Sequence, residues 1–184
     1  REERLETYPE YFDIAKRIAG YAGVAQTYVM ITNGSDQGMD IIFRTFTDGD
    51  EVIIPAPSFA MFSQCATLCG NTVVAPLYQG SNMRFPIQEV LRAIRKRTKL
   101  IVICNPNNPT GTALSVRDIA RIARKAPHAI VYIDEAYAEF SRCSAVPLLR
   151  RYPNIVISRT FSKAFGLGSL RMGYVIARPE YIRE

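Results

Sequence analysis

Lys163 stands among hydroxyl side chains in the segment SRTFSKAFGLGSLRMGY, residues 158–174, and Arg171 follows it on the same segment. A lysine amine can act as a nucleophile or, when neutral, as a base. Hydroxyl groups and an arginine are typical partners of a phosphate group. These residue types predict a site that combines amine chemistry with an anionic ligand.

Three further segments place polar residues directly after apolar runs, namely NGSD at 33–36, NPNNPTG at 105–111 and DEAY at 134–137. The first can present free backbone N–H groups at a helix start, which suit a phosphate, although a helix cap alone explains it more simply. In the second, two prolines and Gly111 shape a turn that could hold Asn108 towards a ligand. A purely structural turn explains that segment equally well.

Asp134 ends an apolar run that should form a buried strand, where an ionised carboxylate is costly unless a cation faces it. The run IVYIDE also resembles the acidic strand of a phosphate-loop nucleotidase, but no GxxxxGK[ST] motif accompanies it. Gly166 and Gly168 do not have the GxGxxG spacing of a dinucleotide site. A serine hydrolase is disfavoured because there is no GxSxG motif and His128 lies in a loop.

Composition narrows the possible functions. The 184 residues are 48% hydrophobic, which is typical of one globular domain, and without a leader or an apolar run of membrane-spanning length we expect a soluble, cytoplasmic protein. The four cysteines form no CxxC pair and one histidine could join them, so we expect buried free thiols and no metal site. The net charge is +6, and the densest basic run, residues 92–99, is interpreted as a solvated helix face and not as a nucleic-acid site.

Alternating apolar and amphipathic segments predict the fold. Strands are expected at 28–32, 51–55, 72–76, 99–104, 129–134, 154–158 and 173–177. Helix starts are indicated by Ser35 with Asp36, by Pro86 and by Ser115. The prediction is a three-layer α/β/α sandwich with a mostly parallel, roughly seven-stranded sheet. Ligands of such sheets bind beyond the carboxyl ends of the strands, where the four polar segments fall.

Pyridoxal phosphate is one ligand that requires all four segments together. It needs a lysine for an imine bond, a carboxylate beside its ring nitrogen and donors at its ring oxygen. Its phosphate needs hydroxyl, arginine and backbone donors. Each segment has an ordinary structural explanation, but the combination is specific.

The chain resembles the class I/II aminotransferases of the fold type I pyridoxal phosphate family over nearly its whole length. The resemblance rests on TNGSDQGMD, NPNNPTGT, YIDEAYAEF and RTFSKAFGLGSLRMGY, and within the family it is greatest to the histidinol-phosphate aminotransferases. It implies that Lys163 is the Schiff-base lysine, that Asp134 pairs with the pyridine nitrogen and that Tyr137 acts at the ring oxygen. It implies further cofactor-binding roles for Gly34, Ser35, Asp36, Phe59, Asn108, Thr160, Ser162 and Arg171.

The resemblance also implies an activity and an assembly. The expected reaction is amino transfer between histidinol phosphate and 2-oxoglutarate, in a homodimer. Residues 1–184 would then be the large cofactor-binding domain, truncated at both ends and without the small C-terminal domain. The family's arginine for the substrate carboxylate would lie beyond Glu184, unless Arg142 or Arg178 replaces it. Two alternatives stay open: a decarboxylase of a phosphorylated amino acid, and a cofactor-binding module without turnover.

Overall fold

One mixed sheet organises the chain in the computed structural model, which describes residues 10–141 and 143–183. Within those residues seven strands pair in the order β1-β7-β6-β5-β4-β2-β3. The strands are β1 Val29–Asn33, β2 Glu51–Ile53, β3 Thr72–Val74, β4 Thr98–Cys104, β5 Ile130–Asp134, β6 Ile155–Thr160 and β7 Met172–Ile176. Only β7 among these runs antiparallel to its neighbours, β1 and β6. The predicted mostly parallel, seven-stranded sheet is confirmed.

Helices cover both faces of the sheet, which confirms the three-layer arrangement. They are α1 Phe12–Ala22, α2 Gly34–Phe46, α3 Ala60–Leu68, α4 Ile87–Ala93, α5 Val116–Lys125 and α6 Pro179–Ile182. One core joins apolar side chains of α1, α4 and α5 to one face of the sheet. A second core joins those of α2 and α3 to the other face. No helix in the described part of the chain has both the length and the apolar character needed to cross a membrane.

Local signals explain most helix starts. The Ser115 hydroxyl accepts a hydrogen bond from the Asp118 N–H and so caps α5, as predicted. Pro86 precedes α4, also as predicted. The start of α2 differs, because the helix begins at Gly34 and not after Ser35 and Asp36. There the Thr32 hydroxyl donates to the Gly34 carbonyl at 2.7 Å, which ties the end of β1 directly to the helix.

The interpretation of residues 92–99 as a helix face is wrong for most of that run. Helix α4 ends at Ala93, and Thr98 already belongs to β4. The Thr98 hydroxyl accepts a hydrogen bond from the Arg95 N–H and donates one to Glu51, so the chain turns here into the strand. Arg97 adds an ion pair to the buried Glu51 carboxylate at 2.7 Å. Contacts with a distant strand therefore override the helical spacing.

A buried ion pair fastens the segment after β5 to β6. Both Nε and Nη2 of Arg159 donate to Glu135 Oε2, at 2.9 and 2.7 Å. The other oxygen, Oε1, accepts the Ala145 N–H. The Glu135 side chain is fully buried and that of Arg159 is 10% exposed. The pair fixes the backbone that leads from Asp134 to Tyr137.

Replacement of Glu135 by glutamine should destabilise the fold strongly, because it leaves the Arg159 charge buried without a counter-charge. Loss of one partner of such a pair typically costs about 3–5 kcal/mol in the free energy of unfolding. Asp40→Asn is the matched control, since the Asp40–Arg44 pair has side chains 43% and 62% exposed and should contribute less than about 1 kcal/mol. Urea unfolding of both variants measures the contrast. Equal losses would show that burial does not set the strength of the Glu135 pair.

Candidate active site

One cavity at the carboxyl edge of the parallel strands brings together the four polar segments. Its volume is about 140 Å³. The residues that line it are Ser35, Asp36, Phe59, Cys104, Asn108, Asp134, Ala136, Tyr137, Thr160, Ser162, Lys163 and Arg171. Every residue expected at the site from the sequence is on this list except Gly34, which lies directly behind the lining. Segments separated by more than a hundred residues therefore meet at one place.

The start of α2 forms one wall of the cavity and packs against β7. A Cβ added at Gly173 would lie 2.5 Å from the Gly34 carbonyl carbon and 2.6 Å from the Ser35 nitrogen, so only glycine permits this approach. Gly34 itself has φ of +72°. The first N–H groups of a helix have no partner within the helix and can therefore bind an anion. The packing places these donors next to the strand that begins after Arg171.

Arg171 adds a positive charge to this wall. Its Nη2 donates to the Asp36 carboxylate at 3.1 Å, and its Nη1 donates to the Gly168 carbonyl at 3.1 Å. A side chain at Gly34 would meet Nη2 at 2.9 Å, so the guanidinium lies directly over the helix start. About half of each partner's side chain is exposed, so the Asp36 pair is open to solvent and can exchange for another anion.

Two hydroxyl groups lie on the same side of the cavity. Thr160 Oγ1 donates to Ser162 Oγ at 3.0 Å and accepts the Ser162 N–H at 3.1 Å. Thr160 ends β6 and is paired with Gly173 of β7, so the strand pairing fixes its position. The helix start, the arginine and the two hydroxyls together provide the donors that a phosphate group requires.

Lys163 follows these hydroxyls on an exposed loop. Its Nζ lies 5.6 Å from the centroid of the Tyr137 ring. Hydrogen bonds from the Gly166 N–H to the Lys163 carbonyl and from the Leu167 N–H to the Phe161 carbonyl close the loop into a turn. The turn thus places the Lys163 side chain in the lining of the cavity, beside the Tyr137 ring.

The NPNNPTG turn is held by side chains that the sequence did not single out. Asn107 donates to the Pro57 carbonyl and to Thr110, and it accepts from Ser58 at 2.9 Å. Asn105 makes reciprocal hydrogen bonds with the backbone of Leu114. Gly111 has φ of +69°, as expected for this turn. The neighbouring asparagines are therefore structural, and Asn108 is the one that lines the cavity.

Asp134 is the acidic group of the cavity, and it is 4% exposed. Its Oδ1 accepts hydrogen bonds from the Ser158 hydroxyl at 2.9 Å and from the Ala136 N–H at 3.2 Å. Burial raises the pKa of the Asp134 carboxyl to about 6, although both hydrogen bonds act in the opposite direction. No cationic side chain donates to this carboxylate within the described residues. The site therefore offers a place for a cationic group that comes from a ligand.

Sequence reasoning missed four residues that contribute to the site. Cys104 and Ala136 line the cavity; Cys104 pairs with Asp134 across β4 and β5, and Ala136 precedes Tyr137 in the chain. Tyr132 and Ser158 support Asp134 from behind, and only the pairing of β5 with β6 reveals them. The cysteines are free; Cys65 and Cys104 are buried, whereas Cys69 and Cys143 are half-buried.

Of the two arginines considered for a substrate carboxylate, the structure describes only Arg178, and it does not line the cavity. Arg178 donates to the carbonyls of Leu149 and Arg150 and is not part of the lining. Arg142 lies outside the described residues. The cavity therefore contains a single arginine in the described part of the chain, Arg171.

Comparison with known proteins identifies the family of the chain. The family described as aminotransferase class I and II matches residues 3–184. A histidinol-phosphate aminotransferase of Ruminiclostridium cellulolyticum is 37% identical over 185 residues, which cover 98% of this chain and 52% of that protein. The chain spans about half the length of the curated relatives it matches.

Solved structures show the same fold. The histidinol-phosphate aminotransferase from Sinorhizobium meliloti in complex with pyridoxal-5'-phosphate has a TM-score of 0.87 at 24% identity and covers 97% of this chain and 50% of its own. The L-threonine-O-3-phosphate decarboxylase from Porphyromonas gingivalis has a TM-score of 0.81 at 24% identity, with 97% and 56% covered. At this level of identity the similarity defines the fold, and the fold is shared by enzymes of different reaction types.

Replacement of Asp134 by asparagine should stabilise the ligand-free chain near neutral pH. The folded pKa of about 6 exceeds the ordinary value of 3.8, so the Asp134 contribution to stability is present below that value and is lost as pH rises through 6. The free energy of unfolding of the asparagine variant minus that of the parent should therefore increase by roughly 2 kcal/mol between about pH 4 and pH 8.

Urea unfolding at several pH values gives this difference directly. Asp48→Asn is a suitable control, because its carboxylate is exposed and lies outside the cavity. A difference between Asp134→Asn and parent that stays constant with pH would contradict the raised pKa.

Proposed function

Because the chain belongs to the class I and II aminotransferases, we propose that it binds pyridoxal 5'-phosphate in the cavity and forms the cofactor-binding domain of an aminotransferase. The observation that carries the proposal is the meeting of an amine, a buried carboxylate and a set of phosphate donors in one cavity. Each of these groups suits a different part of the same cofactor.

The donors at the α2 start fit the phosphate. Backbone N–H groups of Gly34, Ser35 and Asp36, the hydroxyls of Thr160 and Ser162 and the guanidinium of Arg171 would hold its oxygens. The Asp36 carboxylate that now pairs with Arg171 is half exposed, so it can turn to solvent when a dianion enters. This exchange replaces one ion pair by another and keeps the arginine satisfied.

The buried carboxylate fits the pyridine ring. Asp134 would accept a hydrogen bond from a protonated ring nitrogen, and a cation there would offset the cost of burying the charge. Tyr137 and Asn108, from the neighbouring segments, would donate to the ring oxygen, and Phe59 would stack on the ring. Phe59 packs edge-to-face on Phe62 in the core, which fixes the orientation of its ring.

The bound cofactor supplies an electron-withdrawing ring that stabilises negative charge at the α-carbon of an amino acid. Lys163 would hold the cofactor and, once released, take the α-proton at Nζ, because it lies on a short turn at the mouth of the cavity. Asp134 would keep the ring nitrogen protonated during this transfer. The surrounding side chains would orient the ring and exclude water from one of its faces.

The substrates proposed for the whole protein are histidinol phosphate and 2-oxoglutarate. The support comes from the curated relatives, which carry the name histidinol-phosphate aminotransferase at 35–38% identity. Because the chain spans about half the length of these relatives, the activity is proposed for the protein that contains it. Amino transfer assayed on that intact protein, with glutamate as the reverse donor, tests the reaction, and release of carbon dioxide would favour a decarboxylase instead.

A homodimer is also proposed. The loop that carries Lys163 exposes three apolar side chains, Phe165 at 41%, Leu167 at 40% and Leu170 at 58%. Apolar side chains grouped in this way are typical of surfaces that another protein covers. A clean monomer of the intact protein in light scattering would contradict the proposed dimer.

Reduction with borohydride in the presence of pyridoxal phosphate should label Lys163 and no other lysine. The expectation follows from its position at the mouth of the cavity, since the imine must form where the phosphate and the ring are also held. Peptide mapping by mass spectrometry locates the label. Lys163→Arg should abolish it, whereas Lys125→Arg, in α5 away from the cavity, should retain it. A label at another lysine would overturn the proposed function.

A further inference from the structure

The side chains behind Asp134 form a line of hydrogen bonds through the sheet. The Tyr132 hydroxyl lies 2.8 Å from Ser158 Oγ, and Ser158 Oγ donates to Asp134 Oδ1 at 2.9 Å. Because the serine proton is engaged by the carboxylate, the tyrosine must be the donor of the first bond. Tyr132 and Ser158 are fully buried, so water does not compete for either bond.

The strand pairing explains why these groups meet. Asp134 and Ser158 are direct partners in the parallel pairing of β5 with β6, and Tyr132 lies two residues before Asp134 on the same face. The Tyr132 ring packs edge-to-face on Phe62 of α3, with centroids 6.0 Å apart. The tyrosine is thus held in place by the core, and its hydroxyl can hold the serine.

The line of bonds leaves the two carboxylate oxygens in different environments. Oδ1 accepts both the Ser158 hydroxyl and the Ala136 N–H, whereas Oδ2 accepts no hydrogen bond from the described residues. No described side-chain oxygen is both fully enclosed and without a hydrogen bond, so Oδ2 reaches the cavity. One oxygen is anchored and the other is presented to the ligand.

We propose that Tyr132 and Ser158 are positioning residues that fix the Asp134 carboxylate so that Oδ2 faces the ring nitrogen of the bound cofactor. The inference rests on the proposed function, because it assigns the ligand group that Oδ2 meets. Charge-assisted hydrogen bonds of this kind favour the ionised carboxylate, and Ser158 acts in this direction on the Asp134 pKa. The two hydroxyls therefore offset part of the cost of burial before any ligand arrives.

A titration of the ligand-free protein tests the first half of the proposal. Carbon-detected NMR of the Asp134 carboxyl, assigned by its loss in Asp134→Asn, gives its pKa. Ser158→Ala should raise that pKa by roughly one to two units, since a hydrogen bond to the charged form is lost. Tyr132→Phe should raise it by a smaller amount. Tyr28→Phe, at a half-buried tyrosine that packs against the core on the other face of the sheet, should leave it unchanged.

Several charged and titratable groups surround Asp134. Two acidic groups raise its pKa by repulsion, Glu135 and Asp36, and neither is altered in the variants. The other titratable or charged groups that line the same cavity or lie beside the strand are Tyr132, Tyr137, Cys104, Lys163, Arg171 and Arg159, which pairs with Glu135. Burial raises the pKa of the Tyr132 hydroxyl well above its usual range, so this hydroxyl is neutral. Tyr132→Phe therefore removes a hydrogen-bonding group without removing a charge.

Ligand binding tests the second half of the proposal, that Asp134 Oδ2 faces the ring nitrogen. Pyridoxal phosphate should bind Ser158→Ala roughly tenfold more weakly than the parent chain, which corresponds to about one charge-assisted hydrogen bond. The 1-deaza analogue, which has a C–H in place of the ring nitrogen, should bind both proteins equally. Equal weakening of both ligands would mean that Ser158 has only a structural role, and an unchanged pKa with unchanged affinity would also overturn the proposal.

Different results would contradict the proposed cofactor binding and the proposed role of Tyr132 and Ser158. If the parent chain binds neither ligand, the proposed function fails, while the titration still decides whether the hydroxyls act on Asp134. If Ser158→Ala does not fold, the Asp134 pKa and the ligand affinity are measured in Tyr132→Phe instead. That variant removes a single oxygen and keeps the ring packed on Phe62. An unshifted pKa in that variant would refute the role of Tyr132.

Discussion

The burial of an acidic side chain at the carboxyl edge of the sheet is the constraint on which the site depends. Asp134 lies on a central strand that helices cover on both faces, so water solvates its charge poorly. The protein supplies two hydrogen bonds to one oxygen and leaves the second oxygen open to the cavity. Burying the ionised Asp134 carboxylate thus lowers the stability of the ligand-free fold, and a cationic group of a ligand can offset this cost. Residues that serve binding often reduce stability in this way.

Much of this architecture could be predicted from the sequence, because the strands are continuous apolar runs. The residues of β5, for example, are all buried. The run AIVYID lacks the apolar spacing of an amphipathic helix, so the sequence predicts a strand there. Once the strands are known, the parallel sheet places the segments that follow them at one edge. That rule alone brings Asn108, Asp134 and Lys163 together, although it gives neither distances nor hydrogen-bond partners.

Several features that sequence reasoning missed depend on pairing between distant residues. Ser158 contacts Asp134 only because β5 and β6 pair in one register, and Arg159 meets Glu135 for the same reason. The basic run after Ala93 has the spacing of a helix, but Glu51 and the start of β4 determine its conformation. Local propensity is a weak guide where tertiary contacts of this strength intervene.

The antiparallel strand β7 has a consequence for the order in which the site can form during synthesis. Strand β1 and the start of α2 are translated before β7, but within residues 10–141 and 143–183 β1 pairs only with β7, and α2 packs on Gly173 of that strand. This edge of the sheet, which holds the helix start, therefore cannot form until residues 172–176 have left the ribosome. Such a late contact between distant segments slows folding and leaves the edge of β1 unpaired in the nascent chain. The wall of the cavity at the helix start is thus completed only after the segments that carry Asp134 and Lys163 have been synthesised.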